Sequence, residues 1–145
     1  MGYIKIWVHL VWTTKNRDPV LSAGSRKQIF SHIRENALNK GIYVDIVNGY
    51  FEHIHCLVSL GSGQNIDKIV QLLKGESSCW INKGKLLHKR FVWQSEYFAV
   101  SVSESSLNRV RDYIVNQEEH HRRKSFQEEY DEFMTRYKFD KFVSG

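Results

Sequence analysis

Glu52-His53-Ile54-His55-Cys56-Leu57-Val58-Ser59-Leu60 is the stretch on which the fold turns. Cys56, Leu57 and Val58 are apolar and Leu60 closes the run, so from Ile54 onward the segment reads as a strand. Alternate side chains on a strand share a face. His53 and His55 therefore point one way and Ile54 the other. Cα atoms two residues apart lie roughly 6.5–7 Å from each other along a strand, which lets both imidazoles lean onto one cation. Two hydrogen-bonded histidines on a sheet face are the plainer reading. A His-hydrophobe-His pair on a rigid strand is also half of a metal site.

Working outward, Ile42 to Val47 reads as a strand, and Asn48-Gly49 is a turn signal that puts a hairpin tip between Asn48 and Glu52. Tyr3 to Thr14 reads as an earlier strand. Ile4, Ile6, Val8, Leu10 and Trp12 make an apolar face, and Lys5, Trp7, His9 and Val11 make a mixed face suited to a partner or a site. Lys15-Asn16-Arg17-Asp18-Pro19 ends it with the only proline of the chain. Ser25 to Lys40 reads as a helix built on Ile29, Phe30, Ile33, Ala37 and Leu38, with Ser22 and Ser25 as alternative N-caps and Gly41 as the stop.

Beyond the histidines, Gly61-Ser62-Gly63 is a loop, and Asn65 to Lys83 is a helix striped by Ile66, Ile69, Val70, Leu73, Trp80 and Ile81. Inside it, Lys74-Gly75-Glu76-Ser77-Ser78 is either a solvated helix face or a place of close approach to a phosphate backbone. Gly84 to Arg90 is a basic loop with Lys85, His88, Lys89 and Arg90. Phe91 to Val102 reads as the fourth strand, Ser106 to Lys124 as a helix, and Phe126 to Tyr137 as a last helix before a fraying tail. The order β-α-β-β-α-β, then helices, predicts an α+β protein. The expected fold is a ferredoxin-like antiparallel four-stranded sheet with additional C-terminal helices, one domain over residues 1–145. It sends Ile54 toward the core and His53 and His55 toward the open sheet face.

Composition narrows the function. The chain has 145 residues, 41% hydrophobic and 26% charged, as an ordinary globular domain has. It carries no apolar run of bilayer length and no signal-peptide pattern. Cys56 and Cys79 form no paired motif, so a cytoplasmic protein is expected. A net charge of +5 and a pI near 9.2 fit a polyanion partner.

A second constellation lies in Leu107 to His121. Tyr113, Gln117 and His121 fall at i, i+4 and i+8, a bulky polar row beside the apolar Leu107, Val110 and Ile114. A half-buried helix edge with a snorkelling tyrosine is one reading. The other is a tyrosine nucleophile with an amide oxygen one turn away. Because a phenol with a pKa near ~10 is a poor nucleophile at neutral pH, it gains from a cation that polarises the phosphodiester. His53, His55 and the Gln117 carbonyl oxygen supply mixed nitrogen and oxygen ligands suited to Mg2+ or Mn2+, with zinc or nickel as alternative occupants. Arg122 and Arg123, with Lys124, follow the row and are either a solvated helix end or phosphate contacts.

These motifs, in this order, resemble the single-tyrosine HUH transposases of the insertion-sequence 200/605 type, including their REP-associated relatives. The matching residues are His9 to Lys15, His53-Ile54-His55, Lys74-Gly75-Glu76-Ser77, Trp93 to Val102, Tyr113 to Gln117, His120-His121 and Ser125 to Tyr130. Glu52 stands where that family usually has Asp, and Tyr50-Phe51 where it often has Met-Pro. The resemblance implies that Tyr113 attacks a phosphodiester of single-stranded DNA, forms a 5′-phosphotyrosine and releases a 3′-hydroxyl. It implies His53, His55 and Gln117 as ligands of a divalent ion, Glu52 and His121 as auxiliaries, and a homodimer that recognises DNA hairpins at element ends. Lys15, Arg17, Lys74, Ser77, Lys85, Lys89, Arg90, Arg122 and Arg123 are the expected DNA contacts. The rivals are a domesticated or inactive relative that binds specific DNA, a metal-dependent phosphoesterase using water, and an RNA-binding module. The last lacks the Gly-Phe-x-Phe run that RNA-stacking strands carry.

Overall fold

The computed structural model describes residues 2–137. Strand β1 (Ile6–Thr13) is followed by α1 (Ala23–Asn39), β2 (Tyr43–Gly49), β3 (His53–Leu60), α2 (Ile66–Lys83) and β4 (Phe98–Val102). Three C-terminal helices complete it: α3 (Leu107–Val115), α4 (Gln117–His121) and α5 (Phe126–Tyr137). The strands form one antiparallel sheet in the order β2-β3-β1-β4. This is the expected ferredoxin-like arrangement, with β1 and β3 at the centre. The fraying tail falls on residues 138–145, outside the described residues. Among the described residues no helix is long and apolar enough to cross a membrane.

Local chemistry sets the ends. The Asn65 side chain caps α2 by accepting from the Lys68 N–H at 3.1 Å. Gly41 takes the left-handed conformation just past α1, at φ +78°. At the hairpin, Gly49 is the last residue of β2 rather than part of the tip, which is Tyr50 to Glu52. A Cβ on Gly49 would meet the His53 carbonyl oxygen at 2.1 Å, so only glycine lets β2 and β3 close there.

On one face of the sheet, Leu10, Trp12, Ile54, Cys56 and Val58 pack against Ile29, Ile33, Ile69 and Leu73 of α1 and α2. The other face carries Trp7, His9, His53, His55 and Leu57, and the structure departs from the sequence expectation here. The C-terminal helices cover this face: Trp7 and Leu57 pack with Leu107 and Ile114 of α3. His53 and His55 are 0% exposed rather than open to solvent.

Three boundaries also differ. The fourth strand is only Phe98–Val102. Phe91 and Trp93 are apolar because they enter the core, not because they join the ladder, apart from one Thr14–Trp93 bridge. The Asn82 side chain holds that segment, accepting from the Phe91 N–H and donating to its carbonyl. The helix expected over residues 106–124 breaks at Asn116, whose φ/ψ of −94°/27° leaves the helical region. Strand β1 begins at Ile6, with Tyr3 and Ile4 exposed ahead of it.

Candidate metal centre and nucleophile

The site is assembled where β3 meets α3, α4 and α5. Each histidine of β3 is oriented by a neighbour. His53 Nδ1 donates to Glu52 Oε1 at 2.6 Å, because a carboxylate can only accept. His53 Nε2 is then the lone-pair nitrogen, and it faces Gln117 Oε1 at 3.0 Å. The Gln117 amide cannot be turned round at no cost, since its Nε2 donates to the Tyr113 carbonyl at 3.1 Å. Two acceptors therefore face each other in a fully buried place. That arrangement calls for a proton or a cation between them.

His55 Nδ1 lies 2.8 Å from His9 Nε2. Its Nε2 is buried without a hydrogen bond, although Glu129 Oε1 is 3.3 Å away and also lacks one. Burial pushes His55 down to about 4 and His9 to about 3, so both rings are neutral near pH 7 and keep a lone pair. Donor atoms of His53, His55 and Glu129 all lie within 4.8 Å of one another. Two imidazoles, an amide oxygen and a carboxylate, with orphaned atoms aimed at a common point, fit a divalent cation.

Tyr113 lies beside this centre. Its ring is 5.6 Å from that of His55, and its hydroxyl donates to Glu129 Oε2. Burial and the Glu129 charge raise the phenol pKa well above its usual value. Burial pushes the Glu129 carboxyl up, but the imidazoles of His121, His55 and His53 around it outweigh that and hold the group far below the carboxylate range. Tyr113 lines two surface clefts, of about 610 and 640 Å3, each shared with Arg109, so its side chain borders open space while His53 and His55 are fully buried.

The structure brings Tyr113, Gln117, His53, His55, Glu52 and His121 together. His121 donates from Nδ1 to the Lys124 carbonyl at 2.8 Å, and its Nε2 lies 3.3 Å from Glu129 Oε2. Its ring stacks on Tyr50 of the hairpin tip. His9, His120 and Glu129 also belong to the cluster; of these, Glu129 was not expected there. His120 Nε2 is 3.1 Å from Glu129 Oε2. A signal for Glu129 was present in the sequence: with Phe126, Tyr130 and Phe133 it falls on the apolar stripe of α5, where an acid is out of place.

The basic residues are dispersed. Lys15, Lys89 and Arg90 line one cleft of about 550 Å3 with His88, and Lys89 Nζ is 3.4 Å from Asp18. Lys85 follows α2 at φ +49°. Arg122 and Arg123 pair with Glu119 at 2.9 and 3.5 Å. The Arg17 guanidinium lies over the rings of Phe126 and Tyr130 at 5.0 and 4.8 Å, so it holds α5. Lys74 Nζ donates to the carbonyls of Gln94, Ser95 and Glu96, and burial lowers its pKa to about 8. Ser77 leaves the DNA-facing set. It is fully buried, donates to the Leu73 carbonyl and accepts from Trp93 Nε1 at 2.9 Å.

Residues 3–117 match the family model described as "Transposase IS200 like". The ISDra2 transposase TnpA of Deinococcus radiodurans is 28% identical over 122 residues, covering 80% of this chain and 87% of that protein. A crystal structure of a chain from the same organism, assigned as a transposase, superposes with a TM-score of 0.65 at 26% identity, over 81% of this chain and 95% of that one. The REP-associated tyrosine transposase bound to a REP hairpin shares the fold, with a TM-score of 0.60 at 18% identity, over 83% of this chain and 72% of that one.

Proposed function

The chain belongs to the IS200-like transposase family, and from that premise we propose that it cuts and rejoins single-stranded DNA through Tyr113. His53, His55 and Gln117 hold a divalent ion, Mg2+ or Mn2+, which supplies Lewis-acid polarisation of the phosphodiester when bound. The Tyr113 oxygen attacks phosphorus, the bond from phosphorus to the 3′ oxygen breaks, and that oxygen leaves as a 3′-hydroxyl. The phenol proton passes to the Glu129 carboxylate it already faces and from there to the departing 3′ oxygen, so Glu129 ends as it began. The 5′-phosphotyrosine keeps the energy of the phosphodiester, so a second 3′-hydroxyl reverses the step and joins a new strand.

One observation carries this reading. The Tyr113 phenol and the buried metal-ligand set share one wall, because Gln117 bonds the Tyr113 carbonyl and reaches His53 in the same side chain. The substrate is a hairpin at an element end, by likeness to the REP-associated enzyme, which was solved on a REP hairpin. Lys15, Lys85, Lys89, Arg90, Arg122 and Arg123 contact phosphates, residues 1–145 act as one domain, and two copies work as a homodimer. The burial of His53 and His55 beneath α5 favours a second reading, a relative that binds DNA without cutting it.

A covalent-adduct gel decides between them. With labelled hairpin DNA from the flanks of its own gene and Mn2+, a slow, protease-sensitive band is expected. It vanishes with EDTA and in Tyr113→Phe, while DNA binding persists. Cleavage by Tyr113→Phe overturns the nucleophile assignment. Binding without any cleavage establishes the second reading.

A further inference from the structure

Glu129 stands between two sets of imidazoles. Its Oε1 faces His55 Nε2 at 3.3 Å and His53 Nε2 at 3.8 Å. Its Oε2 faces His120 Nε2 at 3.1 Å and His121 Nε2 at 3.3 Å. On the second side the donor atoms again lie within 4.8 Å of one another. His121 is the informative ligand. Its Nδ1 donates to a backbone carbonyl, which can only accept. Its Nε2 is therefore a lone pair in the neutral ring, 3.3 Å from a carboxylate oxygen. Both side chains are 2% exposed, and neither His121 Nε2 nor His120 Nε2 makes a hydrogen bond. The distances are those of ion pairs, but no N–H points along them. Ligands converging on a shared point between them have this geometry.

We propose that Glu129 bridges two cations, the one at His53, His55 and Gln117 and a second held by His120, His121 and Glu129 Oε2. Two imidazoles and one carboxylate oxygen select a first-row divalent transition-metal ion over Mg2+ or Ca2+, which prefer oxygen. The second ion lies beside the Tyr113 hydroxyl, which donates to the same Oε2. There its charge favours the phenolate over the phenol. The inference rests on the reading that His53 and His55 hold a metal.

The test is Mn2+ binding to the full chain after chelator treatment, followed by equilibrium dialysis with elemental analysis and by low-temperature electron paramagnetic resonance. Two Mn2+ per chain and an exchange-coupled spectrum are expected for the wild type, which needs no variant to fold. His121→Asn leaves one Mn2+ with an uncoupled spectrum, and so does His53→Asn. A single Mn2+ in the wild type, lost in His53→Asn but kept in His121→Asn, overturns the second site and leaves the first intact. Two Mn2+ retained by a folded His121→Asn also overturns it. No Mn2+ bound by the wild type at millimolar concentration overturns both assignments.

Discussion

Glu52 is not one of the candidate metal ligands, yet it decides what His53 can do. Its carboxylate fixes the hydrogen on Nδ1, leaving Nε2 free as a ligand. Orienting partners of this kind change metal affinity about 10–100-fold when removed. Glu52→Gln, which can present its N–H instead of its oxygen to His53, is therefore expected to weaken Mn2+ binding by that factor with little change in the fold. Isothermal titration checks it; equal affinity would mean that another group holds the tautomer. His9 serves His55 in the same way, across the 2.8 Å contact between the rings. The histidine pair was legible in the sequence because strand periodicity alone puts His53 and His55 on one face. Glu129 was legible only as an acid on the apolar stripe of α5; Glu128, Asp131 and Glu132 surround it, and the packing of α5 brings it to the histidines.

Helix α3, which carries Tyr113, is tied to β2 rather than to the helices of the main core. A bulge between Val44 and Ile46 frees Asp45 from the ladder. Its carboxylate accepts from Arg111 Nε of α3 at 2.6 Å. Asn48, a turn residue by sequence, instead donates from Nδ2 to the Ile114 and Val115 carbonyls at 2.9 and 3.0 Å. Those carbonyls end α3 and would otherwise lack partners. The side chain thus accounts for the break at Asn116, which periodicity could not reveal because the apolar spacing runs on through it. Asn48→Ala is expected to cost about 1 kcal/mol, read in a denaturant melt, and to loosen Gln117 just beyond the break. An unchanged midpoint would show that water replaces the amide. The short fourth strand has a related cause: Phe91 and Trp93 alternate like strand residues while their backbone is held by Asn82.

Across the whole molecule, the ferredoxin-like sheet was readable because each strand and helix has its own period and punctuation. The closing of the second sheet face was not, because it depends on how three C-terminal helices fold back over β1 and β3. That closure buries His9 and His55 in neutral form, so the unfolded chain binds protons at these positions more readily than the folded one. The stabilisation is complete above the unfolded value of about 6.5 and is lost as pH falls toward about 4 for His55 and about 3 for His9. The slope is at most about 1.4 kcal/mol per pH unit for each histidine. Thermal melts of the metal-free protein are therefore expected to drop steadily between pH 7 and 5. A flat Tm over that range would mean that the two rings are solvated.

A centre of orphaned, fully buried polar atoms has a consequence for the life of the chain in a cell. Whatever fills it binds the folded form alone, so folding and metal supply are one equilibrium. A newly made copy that finds no ion spends more of its time open, and open chains are what proteases remove. If a metal ion is what fills the centre, the quantity of this protein is expected to follow the metal available when it is made.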